Sequence, residues 1–434
     1  VTVSRRPPRP VPVPGTTDSP VAPADVVAYT SPRDGLPPVT DSPEALQDAA
    51  RALASGKGPV SIDAERASGF RYGQSAYLIQ LRRAGSGTIL IDPLATGDLD
   101  PLARALDGPE WILHAADQDL PCLADLGLVP SALFDTELAA RLLGRDRIGL
   151  GAVTEETLGL RLAKDHAAAD WSIRPLPVSW LIYAALDVEL LADLREALST
   201  ELMAAGKSEW AAQEFEFERT RPPRPAKVDP WRRTPRAGRA VRSRRSLAVL
   251  RELWIAREEL AADLDRTPSK VLSHRALIAA AVARPTSRRK LTALKEFSSR
   301  QARQHQERWW KAVDRAMSLP DSQLPPLHAP LPDGELPQPR SWGRHHAEAA
   351  RTLEVVRATV RSRANELRLP QELLLAPDSQ RHLAWDLGRV HESGAPIDTA
   401  TGAMAERLAA LEARPWQIDQ VSAALSEALT AALA

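Results

Sequence analysis

Residues Val60–Arg66 read VSIDAER, and the two acids in this apolar run decide how the chain folds. Val60 and Ile62 belong to a strand interior. Side chains two apart on a strand share a face, so Asp63 and Glu65 project together from one buried strand. Unpaired buried charges are costly, and neighbouring like charges raise each other's pKa. A compensating partner has to lie elsewhere in the chain.

The text on either side sets the strand in a sheet. PVSIDAER, SAYLIQLRR and GTILIDPL are short Ile-, Leu- and Val-rich runs divided by turn residues, which predicts three consecutive strands; EWILHAA predicts a fourth. Before them, TDSPEALQDAARALASG reads as a helix capped by Asp41 or Ser42, with Pro43 early and Gly56 ending it. LDPLARALDG, QDLPCLADLGL and ALFDTELAARLLG read as helices, and residues 150–206 are mainly helical in pattern. Strands first and helices interleaved later predict an α/β domain, a mixed sheet flanked by helices, over residues 39–220. That segment holds the whole strand-and-helix pattern and is expected to fold alone.

Outside it the composition changes. Residues 1–38 hold ten prolines, which remove backbone donors and fix φ, and read as an extended or disordered tail. Residues 221–245 carry ten Lys or Arg against one acid, Asp229, and read as a basic Pro/Arg linker. Residues 246–320 and 341–434 read as two all-α domains, joined by a Pro-rich linker at 321–340. LWIAREELAADLDRTPSKVL and VRSRANELRLPQELL share a weak similarity, so two copies of one helical module is the economical reading.

Two further acids answer the strand. In WILHAADQDLPCL, Asp119 lies five residues after His114, just beyond the fourth strand. In WLIYAALDVELL, Tyr183 and Asp187 are four apart and share a helix face. Four acids in apolar contexts need neutralising, and two hard divalent cations, Mg²⁺ or Mn²⁺, suit carboxylate oxygens. Two such ions about 4 Å apart clamp the attacking and leaving oxygens of a phosphodiester, and a tyrosine on the same face could orient the attacking water.

The ordered pattern Asp-x-Glu, His-x(4)-Asp, Tyr-x(3)-Asp resembles the DEDD 3′→5′ exonucleases of the tyrosine subclass, and more narrowly the ribonuclease D family. SIDAER, AYLIQLRR, LHAADQDLPCLADLGLVPSALFDTELAARLLG and LGLRLAKDHAAADWSIRPLPVSWLIYAALDVELL carry the resemblance across residues 40–220. The helical segments resemble HRDC modules, through REELAADLDRTPSKVLSHRALIAAAVARP in the first and, more degenerately, ELRLPQELLL and RPWQ in the second. The resemblance implies an RNase H-like sheet and a metal-dependent exoribonuclease that trims RNA 3′ ends, tRNA precursors above all, to 5′-mononucleotides. It further implies that Asp63 bridges both metals, that Glu65 and Asp187 hold the water-activating one, that Asp119 anchors the second, and that Tyr183 positions the nucleophile. Arg66 departs from the family, which often has an aromatic there, and Ala169 stands where a hydroxyl residue is common.

Other residues divide between bland and functional readings. His114 reads as a local hydrogen-bonding residue at a strand end rather than a general base, Cys122 as a buried inert thiol, and Asp170 and Trp171 as structural. Lys164 and Arg174 would meet substrate phosphates or form ion pairs. Trp231, with Arg232 and Arg233, suits a phosphate-tracking arm with one stacking side chain. Residues 284–311 add nine basic residues against two acids, a second nucleic-acid face.

Bulk composition narrows the rest. Lys+Arg and Asp+Glu are both 56 in the 434 residues, so net charge is silent on partners. A single cysteine excludes an internal disulfide and a thiolate zinc site and fits a reducing cytoplasm. No run of about 18 apolar residues predicts a membrane span. Arg5 and Arg6 precede prolines rather than an apolar stretch, which argues against a signal peptide. RNA 3′ ends are the expected partner. A DNA exonuclease is the first rival, since nothing in the motifs reads a 2′-hydroxyl. A non-catalytic nucleic-acid-binding protein is the second, disfavoured because no carboxylate of the set is missing.

Overall fold

The computed structural model describes residues 26–163, 168–222, 227–328, 331 and 334–433. Within the first half the elements run β1 (Val27–Tyr29), β2 (Val39–Thr40), α1 (Pro43–Ser55), β3 (Lys57–Arg66), β4 (Ala76–Ala84), β5 (Gly87–Ile91), α2 (Pro93–Thr96) and α3 (Asp100–Leu106). They continue with β6 (Glu110–Leu113), α4 (Leu120–Ala124), β7 (Ala132–Asp135), α5 (Thr136–Leu142), α6 (Leu150–Leu158), β8 (Leu160–Leu162), α7 (Val178–Glu189), α8 (Leu191–Ala204) and α9 (Ser208–Thr220).

Six strands form a mixed sheet in the order β2-β5-β4-β3-β6-β7. β3 and β4 pair antiparallel, while β6 and β7 continue parallel to β3. The alternation read from the sequence is what the sheet uses. Val60, Ile62 and Ala64 join Leu46, Leu53, Leu102 and Trp111 in the core under α1 and α3. Asp63 and Glu65 take the opposite face, where α7 packs across β3, β4 and β5. Helix α1 starts where the turn chemistry placed it: the Ser42 side chain accepts from Ala45 N at 3.2 Å and Pro43 opens the first turn.

Several segments differ from the sequence reading. Residues 26–38 are not a disordered tail. β1 pairs with β8, the Arg33 backbone N–H donates to the buried Glu189 at 3.1 Å, Arg33 pairs with Asp193 at 2.6 Å and Asp34 with Arg82 at 2.9 Å. All these partners are distant in sequence, and proline content does not reveal them. Residues Ala132–Asp135 form strand β7 instead of the start of a helix, because Asp135 caps α5 and so ends the extended run.

Of the basic segment 221–245, residues 223–226 lie outside the described residues, and residues 229–245 are packed structure rather than a free arm. After a short 3₁₀ turn, α10 (Ala237–Ala240) and α11 (Arg244–Asp263) begin a helical unit, and Trp231, Ala237 and Val241 are buried in its core with Leu253, Leu277 and Trp309. Part of the second proline-rich linker belongs there too: Leu324 is buried, and the Arg244 guanidinium donates to the carbonyls of Asp321, Leu324 and Pro325. Among the described residues, the turn after α11 meets the sheet domain. Thr267 N donates to Phe70 O at 3.0 Å, Asp265 pairs with Arg71 at 3.2 Å, and Lys270 Nζ lies 3.8 Å from the Phe70 ring centroid.

The C-terminal helices do not pack apart from the α/β half. Val356, Leu383, Leu387, Trp416 and Leu425 share one core with Leu194, Leu198, Leu202 and Phe215 of α8 and α9. Buried Glu214 on α9 takes both Arg414 Nε, at 2.6 Å, and Trp416 Nε1, at 2.7 Å. Trp210 and Trp416 stack with centroids 4.8 Å apart. Residues 39–220 are therefore not closed by their own side chains.

Candidate active site

Asp63 and Glu65 stand on β3 and Asp187 on α7, and one carboxylate oxygen from each lies within 4.8 Å of the other two. The strand pleat puts the first two on one face, and α7 lays Asp187 against that face. Tyr183, one turn earlier on α7, shares a side-chain hydrogen bond with Asp187. Asp119 enters from the loop after β6. It is 5% exposed and stands beside this trio rather than within it. Its Oδ1 lies 3.3 Å from Arg66 Nη2, while Arg66 Nη1 donates to Gln118 O at 2.7 Å. Arg66, one of the two departures from the family pattern, thus ties the end of β3 to the Asp119 loop.

The electrostatics are those of a site short of positive charge. Burial, then repulsion among the acids, pushes Glu65 up to about 10 and Asp119 up to about 8. Burial lifts Asp63 to about 6, and burial with the neighbouring Asp63 holds Asp187 well above the usual carboxylate range. The Tyr183 hydroxyl is raised by burial and then by Asp187. Arg66 opposes the shift at Asp63, Glu65 and Asp119, but one guanidinium cannot balance four carboxylates. The donor set is all carboxylate oxygen, which fits hard divalent ions and suits neither zinc thiolate nor copper chemistry.

Three stretches match family models: residues 38–203 that of a 3′-5′ exonuclease, 246–313 that of the HRDC domain, and 335–429 that of a 3′ to 5′ exonuclease C-terminal domain. The ribonuclease D of Pseudomonas paraeruginosa is 34% identical over 275 residues, 60% of this chain and 70% of that protein. The chain belongs to the ribonuclease D family. As a ribonuclease D with its exonuclease segment present, it is a 3′→5′ exoribonuclease, and the exonuclease family uses divalent metals. Ribonuclease D of Gluconacetobacter diazotrophicus is 33% identical over 273 residues, 61% of this chain and 68% of that protein. Among solved structures, a protein from Bifidobacterium adolescentis matches with a TM-score of 0.83 at 37% identity, covering 93% of this chain and 99% of that one. Escherichia coli RNase D, described as an exoribonuclease involved in structured RNA processing, matches with a TM-score of 0.64 at 25% identity, covering 91% and 98%.

The remaining candidates of this ribonuclease D fare differently. Arg174 is committed to the fold: it pairs with buried Asp92, Nη1 donates to the carbonyls of Trp171 and Ile173, and Nη2 to Tyr77 O. Trp231 is 4% exposed with its Nε1 on Asp229 at 3.1 Å, so it stacks on no base. The Arg232 guanidinium lies 4.3 Å from the Trp231 centroid, with Nε on Asp229 and Nη2 on Pro326 O, and is likewise structural. A tryptophan beside arginines reads the same in sequence whether it stacks on a base or on its own arginine. Arg233 is exposed, and Lys164 lies outside the described residues. His114 is half-buried with Nδ1 2.9 Å from Thr136 Oγ1, and desolvation pulls its pKa down. Cys122 is buried, and burial pushes its thiol up to about 12.

Two further acids, Asp135 and Glu218, lie behind the Asp119 loop, and the sequence does not single them out. Asp135 falls inside ALFDTELAARLLG, read as a helix, and Glu218 lies in the charged string EFEFERT, where nothing sets it apart from an exposed acid.

Proposed function

We propose that this ribonuclease D hydrolyses the terminal phosphodiester of RNA 3′ ends in a two-metal site made by Asp63, Glu65, Asp119 and Asp187, releasing 5′-mononucleotides. The observation that carries it is the approach of one carboxylate oxygen each from Asp63, Glu65 and Asp187 within 4.8 Å of one another, in a place where burial raises the pKa of all three. Two Mg²⁺ or Mn²⁺ ions, when bound, would activate the attacking water and neutralise charge on the phosphate and the leaving 3′-oxygen. Asp63 is suited to both ions, Glu65 and Asp187 to the one beside the water, and Asp119 to the second. Tyr183, fixed through its bond to Asp187, would hold the water in line with the phosphorus, and the P–O3′ bond breaks to leave a 3′-hydroxyl on the shortened chain.

Structured RNA, tRNA precursors in particular, is the proposed substrate, in keeping with what the E. coli relative is described as processing. The exposed basic residues Arg289, Lys290, Lys295, Arg300 and Arg303, with Arg233, would hold the RNA body. Among the described residues no helix is long and apolar enough to cross a membrane. Action in the cytoplasm, where such RNA is processed, is part of the proposal. The test is hydrolysis of matched RNA and DNA 3′ ends by wild type and Asp63→Ala, with Mn²⁺, Mg²⁺ or EDTA. RNA-selective release of mononucleotides, lost in EDTA and in Asp63→Ala while RNA binding persists, is expected. Wild-type turnover in Asp63→Ala would sink the metal assignment, and equal cleavage of DNA would sink the substrate.

A further inference from the structure

Asp119 is delivered by a short loop, and a second pair of acids lies behind that loop. Asp135, at the end of β7, is 1% exposed. Its Oδ1 accepts from Ala115 N at 3.1 Å, Glu137 N at 2.7 Å and Leu138 N at 3.1 Å, and its Oδ2 accepts from Ala116 N at 2.6 Å. Two of these donors belong to α5 and two to the Asp119 loop. Ala115 sits in the left-handed region, at φ 60°, and Asp119 N then bonds back to Ala116 O at 3.1 Å. Asp135 therefore fixes the turn that aims Asp119.

Glu218 of α9 reaches the same place. Its Oε2 is shielded from solvent and meets no donor, yet its carboxyl forms a side-chain hydrogen bond with Asp135, and the Asp117 backbone N–H is directed at it. Two ionised carboxylates cannot share a hydrogen bond, so one carries a proton. Four backbone N–H groups already donate to the Asp135 oxygens, and its Oδ2, with a single N–H donor, has a lone pair free to accept one more. Burial and then Asp135 push Glu218 up to about 9, so Glu218 is the protonated partner at neutral pH.

We propose that Glu218 is a positioning residue: as a neutral carboxylic acid it donates to Asp135 and, through Asp135, holds the Ala115–Asp119 turn in the geometry that presents Asp119 to metal. The inference rests on the metal-site reading above. Outer-shell partners of this kind are worth roughly 10- to 100-fold in metal affinity or activity.

The test uses the full chain and Mn²⁺ alone, titrated by calorimetry without RNA, followed by single-turnover rates. Glu218→Gln keeps a donor of the same shape and should stay near wild type. Glu218→Met fills the space without a donor and should weaken Mn²⁺ binding by roughly 10- to 100-fold, with a native circular-dichroism spectrum. Asp135→Asn should be at least as weak. Wild-type Mn²⁺ affinity in folded Glu218→Met would overturn the inference, and so would Glu218→Gln behaving like Glu218→Met. If Glu218→Met does not fold, Glu218→Gln decides: retained affinity supports the donor role and lost affinity refutes it. Asp63→Ala serves as the reference. Mn²⁺ affinity surviving there would refute the metal site itself, whereas loss there with none in Glu218→Met would refute only the positioning role.

Discussion

Arg66 Nη2 lies 3.3 Å from Asp119 Oδ1, and the same guanidinium donates to Gln118 O. One cation therefore pairs with Asp119 and also clips the Asp119 loop to β3. Asp119 is almost fully buried, so removing its partner leaves a carboxylate without balance. Breaking a fully buried pair costs about 3–5 kcal/mol; Arg66 is a quarter exposed, which brings the expected cost of Arg66→Ala to about 1–3 kcal/mol. The loss should be largest in EDTA and shrink when Mn²⁺ supplies the charge. Thermal melts of wild type and Arg66→Ala in both conditions check this; an equal penalty in each would mean that Arg66 serves the loop backbone alone.

The raised carboxyls make stability depend on pH with a definite sign. Asp63, Asp119 and Glu65 rise to about 6, 8 and 10 from ordinary values of 3.8, 3.8 and 4.5. The native site thus binds more protons than the unfolded chain across this window, and stability falls as pH rises through it. Metal-free protein should melt lower at pH 8.5 than at pH 5.5, and Mn²⁺ should restore more stability at the higher pH. Melting curves in EDTA and in Mn²⁺ at both pH values decide it. A metal-free protein that gains stability between them would contradict the buried-acid picture.

How much of the fold and the site is legible in the sequence follows from what each feature depends on. The Asp63–Glu65 face depends on strand period alone, and the Tyr183–Asp187 face on helix period alone, so both can be read locally. The role of Trp231 depends on what Asp229 and Arg232 do in space, and local text cannot tell a stacked arginine from a free one. Residues 26–38 look disordered from proline content because their partners, Glu189, Asp193 and Arg82, are distant in sequence. Glu218 is invisible for the same reason: its environment is made by β7 and the Asp119 loop.

Tyr183→Phe isolates the hydroxyl. The ring stays, Asp187 loses one hydrogen bond, and the carboxylates remain. Mn²⁺ affinity should hold within error, while the single-turnover rate falls by roughly 10- to 100-fold if the hydroxyl aligns the water. Rapid-quench kinetics at saturating metal measures this. A rate equal to wild type would make Tyr183 a packing residue.

The shared core makes a different prediction for truncation than composition does. Trp416 is 2% exposed, stacks on Trp210, and donates to Glu214, itself 4% exposed. Trp416→Ala should cost about 3–5 kcal/mol from lost burial, with a further penalty for a buried Glu214 left one donor short. Removing residues 335–434 altogether would strip cover from Leu194, Leu198, Leu202 and Phe215, so a fragment ending at residue 222 should aggregate or melt without cooperativity. The unit around Trp231, Leu253 and Trp309 has its own core, so excising residues 229–325 and bridging the gap with a flexible linker should leave the catalytic core folded. That deletion should flatten the salt dependence of RNA binding by about 0.7 in slope for each RNA phosphate that the excised unit neutralises. Melting curves of the two truncations, and RNA titrations of the second across a salt series, test both halves of the argument. A cooperative transition in the fragment close to that of the full chain would show that the C-terminal helices only lie against the exonuclease core without closing it.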